Sequence, residues 1–131
     1  MPRLTRSLWL SLAAALLCLP STSAAPASQA TLTELRQAIG AARCQRDEQC
    51  KTVPAGAKAC GGPAFYLPWS QDDGDAARIR QLAQQQSKER LEEIRAAGEM
   101  SDCRLIADPG AQCQSGACTL RPVIRGGNDP R

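Results

Sequence analysis

Histidine is missing altogether from the 131 residues of this chain. Its absence excludes Ser-His-Asp and Cys-His nucleophilic catalysis, which need an imidazole base. It also excludes His-Glu-x2-His zinc hydrolysis and a c-type haem attached through Cys-x2-Cys-His. Cys-x2-Cys pairs do not occur either, so zinc knuckles and thioredoxin-like redox chemistry lack their usual ligands. A phosphate-cradling loop is likewise missing, because Gly61-Gly62-Pro63 has no Lys-Ser/Thr behind it. Aromatic residues are scarce at 3 %. Charge of one sign is not in excess: 16 basic residues against 13 acidic ones leave a net +3, scattered along the chain. That is no electrostatic footprint for nucleic acid or anionic lipid. No cofactor and no metal are expected.

Long apolar runs are also few. The one clear run, from Leu8 to Leu19, follows Arg3 and Arg6 and is broken by Pro20. A positive start, a short apolar stretch and small residues behind it define a secretory signal, and the run falls short of the ~20 residues a membrane span needs. The expected signal peptide is 1–27, cut after Ala27, with a cut after Ala24 as the alternative. A lipid-modified Cys18 is a further alternative, disfavoured by Leu17 where a small residue belongs. Without its leader the chain loses two arginines and no acid, so the net charge falls to +1. No later stretch reads as a stop-transfer helix, so no membrane insertion is expected after cleavage.

Six cysteines then remain: Cys44, Cys50, Cys60, Cys103, Cys113 and Cys118. An even number in a short exported chain reads as a disulfide framework. Three lie before the long polar stretch around 70–99 and three after it, so at least one bridge must cross it. Which of the 15 pairings holds is open at this stage. The expected domain spans 28–121, with a loose tail at 122–131. A core of about 100 residues with few large apolar side chains is marginal alone, and the bridges supply what it lacks.

Helical spacing of Leu32, Leu35, Ile39 and Ala42 predicts a first helix to about Arg43, capped by Thr31 or Thr33. A compact turn over 44–50, held by an Asx turn of Asp47, leads to a strand at 50–53 ended by Pro54. Residues 55–70 read as loop. The clearest element is a helix from about Asp75 to Ala97, with Asp75 as cap, Gly98 as stop and i,i+4 pairs Lys88 with Glu92 and Arg95 with Glu99. Strands are expected at 103–106 and 117–121, with a turn at 108–110. The fold class is α+β: two helices packed on a short antiparallel sheet, stapled by disulfides.

The pattern Cys44-x2-Asp47-x2-Cys50, then Cys60-Gly61-Gly62-Pro63, then Gly116-Ala117-Cys118 resembles one in small exported bacterial cysteine-rich proteins. The resemblance spans most of 44–121. It implies a periplasmic or secreted disulfide domain and carries over no catalytic residue.

Carboxylates are the remaining catalytic option, and Glu89, Glu92, Glu93 and Glu99 are available for glycoside hydrolysis. Their simpler reading is a solvated helix face. Asp72, Asp73 and Asp75 lack the ligand spacing of a calcium loop and read as helix capping. The candidate contact surface is Phe65, Tyr66 and Trp69, bunched between prolines, with Lys51 and Lys58 flanking the loop between Cys50 and Cys60. The aromatics serve either as core plugs or as an exposed edge. The expected function is a non-enzymatic binding module for an envelope or extracellular protein. The alternative is an inhibitor of an exported protease or cell-wall hydrolase, with a basic residue in a tethered loop.

Overall fold

The computed structural model describes residues 24–123. Most of the expected signal segment, Cys18 within it, and the tail from 124 onward lie outside that range. The architecture is α+β, two helices and two small antiparallel sheets held by three disulfides.

Helix α1 runs Ala27–Ile39, starting five residues before Leu32. Pro26 sits extended at its head, and its carbonyl accepts from the Gln29 and Ala30 amides. Thr31 and Thr33 are therefore interior residues, not caps. Thr31 and Ser28 point at the second helix, where Glu89 and Glu93 accept from their hydroxyls at 2.6 Å each. A cut after Ala27 would remove the Pro26 carbonyl, whereas a cut after Ala24 leaves this first turn whole. At the far end Gly40 takes φ +60° and stops the helix before Arg43.

A single turn of 3-10 helix, Asp47–Gln49, precedes strand β1, Cys50–Ala55, which pairs with β2, Phe65–Ser70. The loop expected over 55–70 is thus half strand. Pro54 lies inside β1 and Pro68 inside β2. A two-stranded sheet tolerates both, since each strand has a free edge where a missing N–H costs nothing. Helix α2, Ala76–Ala97, matches its expected bounds. Asp75 Oδ1 accepts from the Ala77 and Arg78 amides, and Gly98 closes it in the left-handed region. Glu99 does not pair with Arg95; it folds back to bind Arg90 through both oxygens.

Strands β3, Ala111–Gln114, and β4, Ala117–Leu120, form a hairpin. Its two turn residues, Ser115 and Gly116, both have positive φ, 52° and 82°, the geometry that matches strand twist in a two-residue turn. Residues 103–106, expected as a strand, belong to no element. Asp47 does not turn back on its own backbone: its Oδ1 accepts from the Cys113 amide at 2.8 Å, fastening the 3-10 turn to β3.

The core gathers Leu32, Leu35 and Ile39 from α1, Val53 and Ala55 from β1, Trp69 from β2, and Ile79, Leu82 and Ala83 from α2. Bridges Cys44–Cys113 and Cys50–Cys118 lie against it and tie the hairpin to the segment before the 3-10 turn and to the start of β1. Cys60–Cys103 is at the surface. All three bridges cross α2. Such a framework fits an oxidising compartment, and among the described residues no helix is long and apolar enough to cross a membrane.

Candidate functional site

The five candidate contact residues part company. Trp69 is 4 % exposed and belongs to the core, and Phe65 packs partly buried against the same cluster. Neither forms an exposed edge. The physical reason is the pairing of β2 with β1, which turns these rings into the core of a domain that has few other large apolar groups. Lys51 is exposed on β1, opposite Trp69 in register. Only Lys58 and Tyr66 converge, and they converge on the strandless segment that follows Cys103.

Lys58 reaches across from the loop between β1 and β2. Its Nζ donates to Asp102 Oδ1 at 2.5 Å and to the Arg104 carbonyl at 2.7 Å. With a side chain only 12 % exposed, it is occupied in holding its own chain. The hydrogen bond from Lys58, then its charge, holds the Asp102 carboxyl below its ordinary value. Nor is the loop between Cys50 and Cys60 closed on itself, because those cysteines bond Cys118 and Cys103. The basic residue of a tethered inhibitory loop is therefore not Lys58.

Tyr66 contributes its hydroxyl, which donates to the Ile106 carbonyl at 3.5 Å. Further along, Thr52 Oγ1 donates to Asp108 Oδ2 at 2.6 Å, and Asp108 Oδ1 accepts from the Gly110 amide at 2.8 Å. The Cys60–Cys103 bridge fixes the other end. Residues 102–108 are consequently a run of seven exposed residues pinned at several points along their length. Leu105 stands at its centre, 88 % exposed.

A cleft of about 410 Å³ lies between the β1–β2 loop and α2, lined by Pro54, Gly56, Lys58, Pro63 and Leu91. A separate cleft of about 590 Å³ borders the 102–108 run, walled by Lys58, Leu105, Ile106, Asp108 and Val123. Val123 is itself exposed, so apolar surface gathers here. Large apolar side chains left in water at one place mark contact sites more often than scattered ones do.

Of the candidate carboxylates, Glu92 is simply exposed on α2, and the others have structural employment. Glu89 and Glu93 bind α1, Glu99 binds Arg90, Asp72 accepts from Gln49 Nε2 and Asp73 from the Arg43 amide. Cys44, Cys50 and Cys113 present sulfurs within 4.8 Å of one another, but all three are spent in disulfides.

Sequence reading passed over Leu105 and Ile106 as two strand residues. An adjacent apolar pair after a cysteine carries no local mark that its strand partner will be absent. Comparison with family models, with curated proteins and with solved structures finds no match to this chain. Its function must be argued from these residues.

Proposed function

We propose that this chain is an exported, disulfide-stapled binding module that meets an envelope or extracellular protein through residues 102–108, without catalysis of its own. One observation carries the reading: Leu105 is 88 % exposed at the middle of a run whose ends are fixed by a disulfide and a hydrogen bond. Ordering a loop before binding removes much of the entropy cost of association. An apolar side chain held out on such a loop is suited to fill a partner's pocket. Catalysis is disfavoured by the missing histidine and by acids already engaged in holding helices together. The leader described above and the resemblance to small exported cysteine-rich proteins support the same compartment.

The test is photocrosslinking in a native envelope extract. A photoreactive side chain at position 105 is expected to trap one protein that the same group at Gln84, exposed on α2, does not trap. Equal trapping from both positions, or none from position 105, would overturn the assignment of the surface.

A further inference from the structure

We propose that residues 103–108 form a substrate-like loop that inhibits a serine protease whose first specificity pocket takes an aliphatic side chain, with Leu105 as the residue that enters it. This rests on the binding-module reading and names its partner.

The backbone makes the case. From Cys103 to Pro109 the chain has no helix, strand, turn or bend, and none of its residues takes a positive φ. It runs extended. The Arg104 carbonyl is held inward by Lys58 and the Ile106 carbonyl by Tyr66. The Leu105 carbonyl, which lies between them, accepts no hydrogen bond among the described residues. Among the described residues, the amides of residues 105–108 have no backbone acceptor. This is an open edge for the antiparallel pairing by which a protease cleft receives extended peptide.

The choice of residue follows from the same carbonyls. Arg104 is as exposed as its neighbour, 89 % at its side chain. Yet the residue in the specificity pocket must turn its carbonyl to the oxyanion donors of the enzyme. The carbonyl of Arg104 is bonded to Lys58, whereas Leu105 combines a large exposed apolar side chain with a carbonyl that accepts no hydrogen bond among the described residues.

Resistance to digestion is built in as well. Hydrolysis between Leu105 and Ile106 adds one water, and re-closure releases it. After the cut, bridges Cys44–Cys113 and Cys50–Cys118 still join the two pieces. The Leu105 end stays on Cys60 through Cys103, and the Ile106 end stays on Tyr66 and, through Asp108, on Thr52. Ends kept in register favour re-closure over release.

The experiment titrates the oxidised exported protein into subtilisin, a chymotrypsin-type enzyme and trypsin, following a chromogenic peptide. Stoichiometric loss of subtilisin or chymotrypsin-type activity with trypsin spared is expected. Leu105→Asp should weaken inhibition by roughly 100-fold, and Leu105→Arg should transfer it to trypsin, with unchanged melting temperatures. No inhibition of any enzyme at micromolar protein, or rapid digestion with release, would overturn the proposal. So would wild-type inhibition of trypsin, which would point to Arg104. A partner still trapped from position 105 in that event would leave the binding module standing without the protease.

Discussion

Gln86 sits midway along α2 in a run of polar residues that weakens the helix's apolar face when read from sequence. In the structure it is 2 % exposed, and its Oε1 accepts from the Gly56 amide at 2.6 Å. Gly56 has φ +70°, and a Cβ there would lie 2.7 Å from that of Ala64, so the turn after β1 needs glycine and its amide needs an acceptor. Gln86→Leu would keep the bulk and orphan that amide, a loss of about 1–3 kcal/mol. Urea unfolding should show it, while Gln84→Leu, on the exposed side, should change stability by under about 0.5 kcal/mol. Equal effects at both positions would remove the role given to Gln86. Trp69 marks what residue-scale reading left open. Its composition-level meaning, one of few large rings in a small domain, suited core and contact equally, and only the pairing of β2 decided for core. Leu105 is the reverse case, apolar and yet outside. Which apolar group is left over depends on how the others pack.

Elements were legible where local chemistry alone sets them. Helix α2 has its cap at Asp75 and its stop at Gly98, and both signals act within one turn. Helix α1 was misplaced at its start because the determinants lie 58 and 65 residues away, in Glu89 and Glu93. Strand β2 was missed because its one proline, Pro68, argues against a strand unless the sheet is only two strands wide. The contact between helices has a pH signature. Hydrogen bonds from the Ser28 hydroxyl, then from its amide, hold the Glu93 carboxyl below its ordinary 4.5, with Arg90 assisting and desolvation opposing. A carboxyl with a depressed folded pKa adds stability above the unfolded value, and that stability is lost as pH falls through 4.5 and below. Ser28→Ala should therefore melt below wild type by circular dichroism near neutral pH. The gap should close on going down to about pH 3. A gap that stays constant or widens in acid would show that Glu93 does not carry the contact.

At the scale of the whole molecule, six cysteines were readable and their partners were not. Counting required only that one bridge cross α2, whereas all three do, with sequence separations of 69, 68 and 43. The bridges differ in what they hold. Cys44–Cys113 and Cys50–Cys118 run from the core to a hairpin whose own pairing is four residues long, while Cys60 and Cys103 are exposed and anchor the 103–108 loop. Each bridge contributes ~2–4 kcal/mol against a total stability of about 5–15 kcal/mol. Full reduction should accordingly abolish the cooperative melt seen by circular dichroism, and an unchanged melt in strong reductant would contradict the dependence on disulfides. The double change Cys60→Ser with Cys103→Ser should act differently. Its core, helices and other two bridges are untouched, so the melt should stay cooperative, at a lower temperature. The loop would then rest only on Lys58, Tyr66 and Thr52, and proteolysis near Leu105 should quicken. If this variant instead unfolded like the fully reduced protein, the surface bridge would be part of the core scaffold, and the division between a stapled body and a separately anchored loop would fall.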